Sequence, residues 1–164
     1  MRTWIALLPA ALLAASLAAC RQADGPTPAP DADAQNEIGD IARDMINLVN
    51  GDPEAPADLS HDISRYGRDE EAADAAREMA RRLAGALPSA RLDEPTAQRL
   101  AHTLWVGLNA TELSERQVEA VKNELREILR GAGIEESQAE AVAQQIGTVQ
   151  EQITDNPRRW YQVF

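Results

Sequence analysis

Ser114 to Leu129 reads SERQVEAVKNELREIL, and the spacing of its apolar residues decides the fold class. Val118, Val121, Leu125 and Ile128 recur at alternating intervals of three and four, which lines them up on one stripe of a helix. Charged and amide side chains fill the positions between them. The stretch carries its own start, because the Ser114 hydroxyl can cap the first turn while Gln117 completes a capping box. Gly131-Ala132-Gly133 supplies the stop.

The same rhythm extends in both directions. After the glycines, Ala139, Val142, Ile146, Val149 and Ile153 define a helix over about 135–154, ended by Asn156-Pro157. Before Ser114, Ala97, Leu100, Leu104 and Leu108, with Ala101 and Trp105 beside them, define one over about 94–108, with Pro95 in its first turn. Ala72, Ala76, Met79 and Leu83 mark a helix over about 69–86. Asp69, Glu70 and Glu71 open it and Arg81 and Arg82 stand towards its end, an order that complements the helix dipole. Ile38, Ile41, Met45 and Leu48 mark the first, over about 34–49, stopped by Asn50-Gly51 and Pro53. Between the first two, a loop with Pro53 and Pro56 leads to a short helical turn near Leu59 to Tyr66. The expectation is an all-α, antiparallel bundle of four to five helices. Short connections suggest two hairpins, 69–86 with 94–108 and 114–130 with 135–154. The two share a pattern (Met79, Leu83, Gly85 and Ala86 against Leu125, Leu129, Gly131 and Ala132), read as either duplication or convergence on one helical pattern, the latter favoured.

Composition agrees. Ala, Leu, Glu, Gln and Arg are strong helix formers, and β-branched runs are missing. The formal net charge of −11 argues against nucleic acid and against electrostatic docking of the body on anionic headgroups.

The first residues follow different rules. Met1-Arg2 is a short positive start, and Trp4 to Ala15 is apolar, interrupted by Pro9 and shorter than the about 20 residues a bilayer span needs. Leu17-Ala18-Ala19-Cys20 follows, and it resembles the lipobox of bacterial lipoprotein precursors at all four positions. The resemblance covers the targeting segment only. It implies that residues 1–19 are a signal peptide cut between Ala19 and Cys20. It also implies a diacylglyceryl thioether on the Cys20 sulfur and an acyl chain on the new amino group. Two or three chains, at about 0.8 kcal/mol per buried CH₂, hold a protein essentially permanently. In many Gram-negative lipoproteins an Asp after the cysteine signals inner-membrane retention. Arg21 stands there, so the resemblance implies the outer membrane, facing the periplasm. Loss of Arg2 leaves the mature chain at −12. Cys20 is the single cysteine, so neither a disulfide nor a thiolate zinc site is expected.

Residues 20–33 contain Pro26, Pro28 and Pro30 among small and acidic residues, and are expected to form an unfolded tether of roughly 3 Å per residue. The bundle is expected over 34–154 and a tail over 155–164. That tail, with Arg158, Arg159, Trp160, Tyr161 and Phe164, is read as a clasp on the bundle or as a partner-binding segment through Trp160, Tyr161 and Phe164. A third reading is a free apolar terminus recognised by a periplasmic protease or PDZ-like domain.

Chemistry-bearing patterns are few. Asp69-Glu70-Glu71 and Glu135-Glu136 sit at expected helix starts, where the dipole accounts for them. His61 and His102 lie on separate segments, and neither HExxH nor GxSxG nor a phosphate-binding glycine loop occurs. Glycines are read as helix-end signals. No catalytic residue, metal or cofactor is expected beyond the covalent lipid. The leading expectation is a non-catalytic, membrane-anchored envelope lipoprotein that binds another protein. Two alternatives are an immunity or inhibitor lipoprotein against a cell-wall-degrading toxin, and a hydrophobic-ligand carrier. Such toxins are often basic, which an acidic body would attract.

Overall fold

The computed structural model describes residues 30–67, 70–109 and 113–155, and these are helical throughout apart from their connections. Six α-helices follow in order: α1 Ala32–Val49, α2 Ala55–Ser64, α3 Glu70–Ala86, α4 Glu94–Asn109, α5 Glu115–Gly131 and α6 Glu136–Asp155. A short 3₁₀ turn, Leu87–Ser89, extends α3.

Each helix is where its apolar stripe calls for one, and the caps explain its ends. Ser114 accepts from Gln117 N–H while the Gln117 side chain accepts from Ser114 N–H at 2.9 Å, so the capping box is formed. Asp31 caps α1 by accepting from Ala34 N–H at 2.9 Å, so the helix claims Ala32 and Asp33 from the expected tether. Gly51 and Gly133 have φ of +83° and +89° and end α1 and α5 in the same way. Gly133 N–H donates to Arg130 and Ile134 N–H to Leu129, while Gly51 and Asp52 donate to Leu48 and Asn47. These are Schellman closures, which need a left-handed residue and hence favour glycine.

Three expectations are corrected. The helical turn expected near Leu59 to Tyr66 is a full helix, α2, with Ala55, Leu59 and Ile63 buried at intervals of four. Pro56 does not oppose it, because the first-turn N–H groups of a helix lack intrahelical partners anyway. Arg81 and Arg82 do not reach the end of α3, whose last turn has no basic residue. Both instead pair with Glu78.

The third correction is larger. The expected α3–α4 hairpin does not form, since α3 packs on α2 and α6 while α4 packs on α1 and α5. The α5–α6 hairpin does form, with Arg126 on Glu140 at 2.8 Å and Arg130 on Glu136 at 2.5 Å. The sequence likeness of the two segments therefore does not extend to their packing, and duplication of a hairpin loses its structural counterpart. Neighbours run α1, α2, α3, α6, α5, α4 and back to α1, a closed ring. Arg65 pairs with Glu37 across α1 and α2, and Arg99 with Glu124 across α4 and α5. With the α5–α6 pairs, these contacts set α1 against α2, α4 against α5 and α5 against α6 in opposite directions. The ends of α1, α3 and α5 meet at one pole, where Val49, Arg91 and Gly131 lie together. The end of α6 therefore returns to the pole where α1 begins.

The interior is one cluster drawn from all six helices. It is rich in alanine, which lets helix backbones approach closely, and its volume is filled by Leu, Ile and Met. One tight approach between helices is at Gly107 of α4. A Cβ there would stand 2.7 Å from Ile146 Cδ1 and 3.0 Å from Val121 Cγ1.

Candidate functional site

The residues singled out for anchoring and partner binding, Ala19, Cys20, Trp160, Tyr161 and Phe164, lie outside the described residues, as does Asp69. The described body is what they attach to, and its polar features can be placed one by one.

Glu70 and Glu71 occupy the first turn of α3, and Glu136 opens α6 in an ion pair with Arg130. His61 is exposed on α2. His102 is half-buried on α4, its ring stacked on Trp105 with centroids 6.2 Å apart, and burial pulls its pKa below the usual value. The two histidines are not brought together. Among the described residues no group of three His, Cys, Asp or Glu is placed to hold a metal ion. No described helix is long and apolar enough to cross a membrane.

An open cleft of about 520 Å³ lies at the pole opposite the start of α1 and the end of α6, lined by Val49, Arg91, Leu92, Asp93 and Thr96 among others. Thr96 hydrogen-bonds Asp93 through its side chain and its N–H, which holds that carboxyl below the usual range. Arg91 N–H donates to Ala132 O at 2.8 Å and ties the α3–α4 connection to the α5–α6 turn. The cleft has no partnerless buried polar group to point to a ligand.

Two features went unread in the sequence. Gln150 is buried on α6 and its Nε2 donates to Gly107 O at 2.6 Å. That carbonyl lies in the last turn of α4, where intrahelical donors run out, so a side chain of α6 finishes α4. The second is an acidic seam between α1 and α2. Asp40 and Asp44 lie one turn apart on α1, and Asp58 and Asp62 one turn apart on α2. Burial first, then Asp62, Asp58 and Asp40, push the Asp44 carboxyl up to about 6. Nearby, the Tyr66 hydroxyl donates to Glu37 at 3.0 Å, and burial and that carboxylate raise the phenol. The repeated i, i+4 aspartates were a visible signal. Their facing one another was not, because pairing of α1 with α2 had not been foreseen.

No family model, no curated protein and no solved structure matches the chain.

Proposed function

We propose that the chain is the precursor of a bacterial lipoprotein, held on the outer membrane by lipid on Cys20, whose helical body binds another envelope protein without catalysing a reaction. The observation that carries this reading is Leu17-Ala18-Ala19-Cys20 following a short apolar stretch, in a chain with one cysteine. Two further observations support it. The end of α6 lies at the pole where α1 begins, so the expected tether and the aromatic tail continue from the same pole of the body. Many of the described polar residues are engaged in helix caps and ion pairs.

Replacing Cys20 by Ala is expected to stop lipidation, leave unprocessed precursor and abolish stable membrane attachment by way of acyl chains. Gel mobility and membrane fractionation check this, and a variant that matures to the same size as the wild type would refute the anchor. The partner is tested by crosslinking the lipidated protein in intact cells. Removing Trp160 to Phe164 is expected to leave the helical fold cooperative while reducing the crosslinked species. A large fall in melting temperature instead would make the tail a clasp.

The mature charge of −12 favours one second reading, an immunity lipoprotein that captures a basic cell-wall-degrading toxin. It requires that a strain lacking the gene be killed by toxin-producing neighbours. Survival of that strain would exclude it.

A further inference from the structure

Asp44 faces a crowd of like charge. Its Oδ2 is closed to solvent and accepts no hydrogen bond. The charges around it come from both sides of the seam: Asp40 and Arg43 on α1, Asp58 and Asp62 on α2. The cations nearby are committed elsewhere. Arg43 pairs with Asp40 at 2.7 Å and is well exposed, while Arg65 spans Asp62 and Glu37 at 3.4 Å each. Of the other elements against α1, the Leu87–Ser89 turn has no ionisable side chain. On α4, Glu94, Arg99 and His102 are not among the leading charges acting on Asp44.

A carboxylate with a closed-off oxygen and no donor repels its neighbours. A carboxylic acid in the same place has an O–H to give and removes one negative charge from the seam. We propose that the α1–α2 seam is a proton-responsive joint: taking up a proton at Asp44 draws α2 onto α1, and releasing it loosens α2. In the acid form one negative charge leaves the seam, with the proton taken from and returned to solvent.

The direction follows from linkage. Asp44 binds its proton more tightly in the folded chain, about 6 against an ordinary 3.8. The stabilisation is therefore complete below 3.8 and is lost as pH rises through about 6. The joint is tight in mild acid and loose at neutral pH. Its working does not depend on the lipid anchor or on a partner, so failure of either reading is separately visible.

Amide hydrogen exchange on the full mature chain, corrected for intrinsic rates, reads this directly. Between pH 7.5 and 5.5 the protection of α2 amides is expected to rise roughly two- to fourfold, while α5 and α6 change little. Asp44→Asn, of the same shape and always neutral, should abolish that response and hold α2 at the protection it has in mild acid. Asp40→Asn should weaken the response without abolishing it, because Asp62 and Asp58 act on Asp44 more strongly than Asp40 does. Unchanged or lower protection of wild-type α2 at pH 5.5 would overturn the joint, even if no variant folded. An undiminished response in Asp44→Asn would overturn the role of Asp44.

Discussion

Gly107→Leu is expected to lower the stability of the bundle by about 3 kcal/mol, near the upper end for overpacking a tight core. Gly107 lies on α4 where α5 and α6 meet it, and even a bare Cβ would crowd Ile146 and Val121. A leucine adds three more carbons in a position that the helix fixes. The backbones of α4 and α6 would have to part. Parting them also strains the 2.6 Å bond from Gln150 Nε2 to Gly107 O. Gly107→Ala separates this account from a general intolerance of glycine replacement. Its Cβ meets the tip of the Ile146 side chain, which can swing aside, and alanine gains about 1 kcal/mol of helix propensity over glycine. The two effects should nearly cancel. Urea denaturation checks both variants: the leucine variant should shift the midpoint strongly at unchanged slope and the alanine variant hardly at all. A leucine variant as stable as the wild type would mean that α4 and α6 do not approach as described.

Leu104→Ala is the second large effect, a loss of about 3 kcal/mol and a melting temperature lower by roughly 10 °C. Leu104 is fully buried midway along α4, the helix that touches α1, α5 and α6. Leu104 is one of the large side chains that fill the space between the alanine-lined helix faces, so truncating it leaves a cavity. No disulfide is available to compensate, because Cys20 is the only cysteine. Val106→Ala on the same helix is a suitable comparison, since Val106 is only partly buried and should cost under about 1 kcal/mol. Equal losses at the two positions would contradict the placement of the α4 stripe.

The apolar stripes were legible because burial on one face of a helix imposes a period that no other structure shares. Ile38 to Leu48, Ala72 to Leu83, Ala97 to Leu108, Val121 to Ile128 and Ala139 to Val149 all turned inward as their spacing required. The Ser114 and Gln117 box and the Asn50-Gly51 stop were equally readable, being local. What the sequence hid was partnership. A short connection between α3 and α4 brings their ends together but does not oblige their stripes to face each other. Here the stripe of α3 is satisfied by α2 and α6. The length of α2 was masked by Pro53 and Pro56, which look like loop residues and act as a helix start.

Residues whose meaning depends on a neighbouring helix were illegible for the same reason. Gly107 looked like one more helix-end glycine until Ile146 and Val121 were found against it. Gln150 carried no signal in the sequence, and its bond to Gly107 O of α4 places it inside. Asp44 drew no reading from the sequence, because the charges of Asp58 and Asp62 come to it from α2. The likeness to a lipobox is of another kind, carried by four consecutive residues and asking nothing of the fold.

The intact mass of the mature protein extracted from membranes tests the central proposal most directly. The account predicts a chain beginning at Cys20, carrying a thioether-linked diacylglyceryl group and an amide-linked acyl chain. A mature chain that starts at any other residue, or that keeps a free thiol at Cys20, would contradict it.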